Sequence, residues 1–342
     1  MAETMRWGIL GTGKIARILA DAIGRSHDGA LVAAGSRTAE RAEAFATELG
    51  VPRHGTYEDV IADPDVDVVY VAAHHPAHRS LAVAAAEAGR HVLCEKPMAV
   101  NAAAAAAIVD AARRNNVFLF EAFAYRAHPQ TQRLVELLRM GRIGEIRMVD
   151  ATFGYDAGPT PKNYLLDHQL AGGGILDVGC YTTSMAHLIA AAATGAPAVE
   201  PTDVSGSADV GPTGVDLSAA ATLAFDGGIL ARLACSIRAN LVSTVTIVGS
   251  EGRISVPSPW LPGRIGTEAR ILVERWGAEA ETIDVPLDSD VYTVEVEAVH
   301  ASIRKGERST AMMPWEDSLA NMRTLDRWRA AVGLRFADDG SS

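Results

Sequence analysis

Residues 6–16, RWGILGTGKIA, decide the fold. Residues 6–10 are short and apolar, as a strand buried in a sheet must be. Gly11-Thr12-Gly13 then turns the chain, and residues 14–23 carry the apolar spacing of a helix. A strand, a glycine turn and a helix in that order form a cradle for phosphate. The glycines let the backbone approach a pyrophosphate, and the helix N-terminus meets its charge. Ala16 stands where the pattern's third glycine falls and still permits close helix–strand packing. Gly11, Thr12, Gly13, Lys14 and Ile15 are therefore candidate contacts of a dinucleotide.

Working outward, the first third alternates strand and helix. Strands are expected at 31–35, 66–72 (VDVVYVA), 91–94 and 118–121, with helices between them and short loops. This predicts an α/β, doubly wound parallel sheet of Rossmann type over residues 1–125. From about residue 127 the pattern changes. A helix (HPQTQRLVELLRMGRIG) is followed by β-rich runs at 146–154, 217–225, 229–237 and 241–248, with Asp226-Gly227 as a turn between two of them. Residues 126–337 are expected to form an α+β domain with a large, mostly antiparallel open sheet. The helical runs EAVHASIRKG and WEDSLANMRTLDRWRAAVG should close it, and residues 338–342 should be a disordered tail.

The chain has 342 residues, 48% hydrophobic and 21% charged, enough for two cores. A net charge of −11 argues against nucleic acid as a partner. Three scattered cysteines offer neither a disulfide framework nor a cysteine metal site. The alanine run at 102–107 is too short to span a bilayer, and the N-terminus lacks the regions of a signal peptide. A soluble, reduced, cytoplasmic protein with no membrane contact is expected.

Four further stretches carry chemistry. At the end of the second strand, an acidic residue would bond the ribose 2′-hydroxyl of NAD. Here Gly35-Ser36-Arg37-Thr38 offers a hydroxyl and a guanidinium, with Arg41 one turn on, which suits the 2′-phosphate of NADP. NAD would be the weaker cofactor; the bland reading of Arg37 is a solvated loop residue. In HHPAH, His74, His75 and His78 invite a metal, but no acidic, cysteine or third-ligand partner stands at a recognisable spacing. With Ala73 they follow a central strand, so cofactor contact is the better reading and no metal is expected. HVLCEKPMAVN, residues 91–101, ends a buried strand in Glu95 and Lys96, polar groups that need partners there. In such sheets ligands bind beyond the strands' carboxyl ends, so Lys96 is expected to face a ligand. Last, GGGILDVGCYTTSMAHL, residues 172–188, places Asp177 and Tyr181 at i, i+4 if a helix starts near Leu176; Ser184 follows on that face and His187 turns away. On the bland reading Asp177 merely complements the helix dipole and Tyr181 is a core aromatic.

Taken together, GTGKIA, GSR, VAAHHPAH, CEKP, EAFAYRAHPQ, GGGILDVGCY and the late NMRTLDRWR resemble the Gfo/Idh/MocA oxidoreductase family over nearly the whole chain. Within it the pattern is most similar to the branch of NADP-dependent aldose dehydrogenases and dimeric dihydrodiol dehydrogenases. The resemblance implies an N-terminal Rossmann domain, a C-terminal domain with an open sheet, and a homodimer or homotetramer formed through that sheet. It also implies hydride transfer between a nicotinamide and a carbinol carbon, with Lys96, Asp177 and Tyr181 as catalytic residues. A tyrosine near its reference pKa of about 10 is a poor base at neutral pH, and a neighbouring ammonium favours its phenolate. Tyr181 is thus expected to exchange the proton, Lys96 to tune it and bond the substrate oxygen, and Asp177 to orient the hydroxyl or Lys96; Lys96 as the proton carrier is the alternative. Tyr125, Arg126 and Asn163 are expected on the substrate, with Phe123, His128 and Asp156 as further candidates. Leu165 stands where many relatives carry an arginine. A polyhydroxylated ring suits this mixture, so oxidation of an aldose at C1 to a lactone is expected. The alternatives are a trans-dihydrodiol, reduction of a keto-sugar, a non-catalytic NAD(P)-sensing protein, and a hydrolase using transient oxidation.

Overall fold

The computed structural model describes residues 4–158, 164–264, 268–287 and 289–340 of the chain. The first third runs β1 (Met5–Leu10), α1 (Lys14–Arg25), β2 (Gly29–Gly35), α2 (Ala39–Leu49), β3 (Arg53–Gly55), α3 (Tyr57–Ala62), β4 (Val68–Val71), α4 (His75–Glu87), β5 (His91–Cys94), α5 (Ala102–Asn115) and β6 (Leu119–Glu121). All six strands are parallel, in the order β3-β2-β1-β4-β5-β6. The chain starts in the middle of this sheet and builds outward both ways, so the order reverses between β1 and β4, where α/β sheets bind their ligands. Every residue of β4 is buried, as a strand covered on both faces requires. Helix α1 buries Ala16, Leu19, Ala20, Ala22 and Ile23, a single apolar stripe.

The chain continues through α6 (Ala124–Ala127), α7 (Pro129–Arg139), β7 (Ile146–Gly154), α8 (Cys180–Thr194), β8 (Asp203–Val210), β9 (Asp216–Phe225), β10 (Ile229–Ser236), β11 (Thr244–Gly249), β12 (Gly252–Val256), β13 (Arg270–Arg275) and β14 (Glu281–Asp284). Helices α9 (Val291–Arg304) and α10 (Trp315–Ala331) follow. The eight strands β7–β14 form one sheet, β14-β13-β12-β11-β7-β10-β9-β8, in which only β7 and β10 pair in parallel. Helix α8 packs on β7 and β10. The segment His168–Thr194 is long and apolar enough to cross a membrane, yet 89% of its most apolar 18-residue stretch is buried inside the protein, which marks it as core.

Two compact units result. One comprises Met1–Ala99, Ala103–Ala124 and Ser289–Trp315; the other comprises Val100–Ala102, Tyr125–Asp288 and Glu316–Ser342. This corrects the division at residue 125 with everything later in the second domain, because α9 returns to the first unit. It packs on α1, and its buried His300 accepts the Trp7 indole N–H at 2.9 Å through Nε2 while Nδ1 meets Asp28 at 2.8 Å. The Leu119 N–H donates to Arg308 O at 3.0 Å and extends the hold. The expected disordered tail is also corrected in part. Ala337–Gly340 forms a 3-10 turn, and the Asp339 carboxylate bonds Arg329 at 2.6 Å and the Phe336 N–H at 2.8 Å. Residues 341 and 342 lie outside the described residues.

Candidate active site

In the first unit, Gly11 adopts φ 129° and its N–H donates to Gly35 O at 2.9 Å. A Cβ there would stand 2.3 Å from the Ala72 carbonyl oxygen, so glycine alone fits where β1 and β4 end side by side. Gly13 is the cap of α1. As a glycine it offers no capping side chain, among the described residues no side-chain cap is made, and a Cβ on Gly13 would meet nothing within 4 Å. Arg17 holds the loop from behind through Thr12 O at 2.5 Å. Thr12 and Ile15 are half-buried and Lys14 is exposed. An open helix start with unused donors fits a pyrophosphate. At the end of β2, Ser36 is buried while Arg37 and Arg41 are exposed. Both arginines act on the Tyr57 phenol of α3, whose pKa burial raises and the two cations draw back. One hydroxyl and two cations thus share this strand end, a set that fits a phosphate ester.

Lys96 is half-buried at the carboxyl end of β5. Glu95 before it is buried; one oxygen accepts the Tyr70 hydroxyl and the other the Lys96 backbone N–H at 3.2 Å. Glu295 of α9 is buried close by, and burial together with the Glu95 charge pushes its carboxyl well above the usual range. Both influences favour the neutral form of the Glu295 carboxyl. Ala73 and His74 are half-buried, and the His75 ring stands edge-on to His78 at 5.7 Å. His78 is fully buried, with its ring nitrogens 3.0 Å from Pro97 O and Ala73 O. Burial lowers its pKa.

The second unit carries the glycine run. Where an α-helix from Leu176 was expected, Ile175–Gly179 forms a π turn before α8 begins. The extra residue in that turn removes the simple i, i+4 relation of Asp177 and Tyr181; π turns of this kind recur at functional sites. Asp177 is buried, and its Oδ2 accepts the Tyr155 hydroxyl at 2.5 Å. Tyr181 sits among three other rings: Phe153 at 5.2 Å, Tyr125 at 5.9 Å and Trp260 at 5.9 Å. Trp260 is fixed by its indole N–H on Thr152 O at 3.0 Å, and Tyr125 by its hydroxyl on Ser184 Oγ at 2.8 Å. This surrounds one phenol with aromatic faces and sets a Tyr–Asp hydrogen bond on the turn that leads to it.

Residues 5–123 match a family described as an oxidoreductase family with an NAD-binding Rossmann fold, and residues 131–255 match the GFO/IDH/MocA C-terminal domain. The chain belongs to the Gfo/Idh/MocA oxidoreductase family. It is 33% identical over 98% of its length, and 99% of the relative's, to trans-1,2-dihydrobenzene-1,2-diol dehydrogenase of Mus musculus. Among solved structures it resembles aldose-aldose oxidoreductase from Caulobacter crescentus, complexed with glycerol (25% identity, TM-score 0.84, 97% of this chain and 98% of that one). It also resembles KijD10, a 3-ketoreductase from Actinomadura kijaniata in complex with NADP and TDP-benzene (26% identity, TM-score 0.85, 96% and 98%). The protein is therefore an oxidoreductase acting on CH–OH groups with a nicotinamide cofactor.

Several expectations for this Gfo/Idh/MocA chain need correction. Arg126 does not reach for a substrate. It is 1% exposed and pairs with Asp317 at 2.9 Å and with Ser184 O at 2.7 Å. His78 is a strut between two loops, its buried ring set between the Pro97 and Ala73 carbonyls, one of which a neutral imidazole can bond through its single N–H, and Glu95 turns inward to Tyr70. Phe123, Tyr125 and His128 are fully buried; His128 Nδ1 caps α7 by accepting the Gln130 N–H at 3.0 Å. Asp156 is exposed; its carboxylate accepts the Gly158 N–H at 2.9 Å and its backbone N–H donates to Asn240 Oδ1 at 3.0 Å, while its neighbour Tyr155 makes the contact with Asp177. Leu165 is buried and its carbonyl accepts the Gly173 N–H at 2.9 Å, so this position shapes the glycine run through its backbone. Asn163 lies outside the described residues. Tyr155, Phe153 and Trp260 were missed. The only signal was aromatic residues at the end of β7 and in the loop after β12, neither of which has a spacing that distinguishes a site from a core.

Proposed function

We propose that the protein is an NADP-linked dehydrogenase that oxidises an aldopyranose at its anomeric carbon to a lactone. The NADP preference rests on Ser36, Arg37 and Arg41 at the end of β2, where Ser36 takes the place of the acidic residue that would bond the ribose of NAD. When bound, the nicotinamide supplies the hydride acceptor. The chain's residues then have to move one proton and hold one oxygen. Tyr181 takes the carbinol proton, its phenolate favoured by the Lys96 ammonium, which also bonds the substrate oxygen. Asp177 orients the reacting hydroxyl while Tyr155 fixes one of its own oxygens. Lys96, Asp177 and Tyr181 thus serve a single carbinol. The observation that carries this reading is the Tyr155–Asp177 bond on the π turn that leads to Tyr181, in a family of nicotinamide oxidoreductases. The protein works free in the cytoplasm as a homo-oligomer through its eight-stranded sheet, a reading supported by exposed Val210 on β8 and Leu230 on β10. Oxidation of a trans-dihydrodiol is the second reading. It is favoured by the name of the mouse relative and by the four clustered rings.

The test is NADP reduction with xylose, glucose and a trans-dihydrodiol at equal concentrations. A higher specificity constant for the dihydrodiol would replace the sugar reading with the second one. Lys96→Met and Tyr181→Phe should each lower turnover about a hundredfold or more, the scale of a lost acid–base group. Near-normal turnover of Tyr181→Phe across pH would make Tyr181 a packing residue.

A further inference from the structure

Asp216 opens β9 and is fully buried beneath the glycine run. Its Oδ2 accepts the Ile175 N–H at 2.7 Å, and the neighbouring Gly174 N–H also favours the charged carboxylate. A Cβ on Gly173, which sits at φ 109°, would stand 2.2 Å from Asp216 Oδ1. That glycine is needed for its backbone conformation and to let the carboxylate in. The first N–H groups of a helical turn have no partner within the turn, and here a carboxylate from a different strand supplies one. Asp177 follows two residues after Ile175.

We propose that Asp216 is a positioning residue for the reaction: its carboxylate clamps the start of the π turn and thereby sets where Asp177 stands. The inference rests on Asp177 acting on the substrate. Oδ1 has no hydrogen-bond partner among the described residues and can take the proton; protonation there leaves Oδ2 as an acceptor but removes the charge that strengthens its bond from the Ile175 N–H, and so loosens the clamp. The groups that face it are Cys235 of β10, whose own neighbours include Cys180 and Asp177, and Arg329 of α10, itself paired with Asp326 and Asp339. Burial keeps the Cys235 thiol neutral, and Arg329 keeps its charge. Burial also pushes the Asp216 carboxyl up to about 7, against the pull of the backbone N–H groups. Asp216 is therefore the group whose charge changes near neutrality. The signs separate the clamp from plain stability. A carboxyl whose folded pKa is raised from the ordinary 3.8 to about 7 contributes stability in acid that is lost as pH rises through 7, whereas the clamp tightens over the same step.

The experiment follows hydrogen exchange of residues 172–179, corrected for intrinsic rates, from about pH 5.5 to 8.5. It uses the full-length protein without added cofactor and is paired with kcat and KM profiles. Wild type should gain protection as pH rises through about 7 and show an acidic limb in kcat at the same midpoint, with KM little changed. Asp216→Asn should lose both transitions and turn over about ten- to a hundredfold more slowly at high pH. Asp177→Asn should abolish turnover yet keep the exchange transition. An active Asp177→Asn would sink the functional reading alone, because the exchange transition would still report the clamp. Should Asp216→Asn fail to fold, wild type decides by itself: flat protection through pH 7 overturns the clamp. So does an Asp216→Asn protein that keeps the limb.

Discussion

The buried Arg126–Asp317 pair gives a stability test whose magnitude follows from the structure. Their side chains are 1% and 3% exposed and the contact is 2.9 Å. Burial pulls the guanidinium's pKa down, but the Asp317 charge and the Tyr125 hydroxyl together more than offset it, so the pKa is raised and Arg126 stays charged. Asp317→Asn keeps the size and one acceptor but removes the counter-charge. Breaking one partner of a buried pair costs about 3–5 kcal/mol, since a charge is left without compensation. Arg126 keeps hydrogen bonds to Ser184 O, Ser184 Oγ and the Tyr125 hydroxyl, so the low end, about 3 kcal/mol, is expected. For a unit of this size that lowers Tm by about 6–12 °C. The double variant Arg126→Met/Asp317→Leu removes both charges together and should recover to within about 1–2 kcal/mol of wild type, the remainder reflecting the donors lost to Ser184. Urea unfolding followed by tryptophan fluorescence measures this, since Trp260 and Trp328 are buried in the same unit. A cost below about 1 kcal/mol for Asp317→Asn would show that the pair behaves as a solvated one. A double variant no more stable than the single would show that shape, not charge, fixes this site.

Two further outcomes follow from single groups. Arg37→Ala should raise KM for NADP far more than for NAD; equal effects, measured with both cofactors under one buffer, would remove the 2′-phosphate role. Burial lowers the His128 pKa to about 4, and its Nδ1 must be unprotonated to cap α7, so stability should fall as pH drops from about 6.5 toward 4. His128→Gln should flatten that part of the pH–stability curve, and an unchanged slope would locate the titration elsewhere.

What could be read from the chain, and what could not, separates along the range of the interactions. Strand β5 at 91–94 and strand β7 at 146–154 appear where their apolar runs lie, because a buried strand is a local pattern. The glycine turn after β1 is legible as a local strand–turn–helix pattern, although what makes Gly11 necessary is the Ala72 carbonyl at the end of β4. The return of α9 to the first unit was not legible, since nothing in EAVHASIRKG announces that His300 meets Trp7 across nearly the whole chain. The same holds for Arg126. An arginine after an aromatic near a strand end reads equally well as a substrate contact or as a buried cation, and only Asp317, far along the sequence, decides between them. The π turn is the most instructive case. The run GGGILDVG looks like a loose helix start, and three glycines in isolation argue for flexibility. In the fold they are small because Asp216 and the Leu165 carbonyl occupy the space their side chains would take, so the glycines make this turn fixed. A glycine run read alone therefore leaves open whether the chain needs freedom or close approach. The residue that answers is a buried carboxylate on another strand, and its charge state then becomes part of how Asp177 is held.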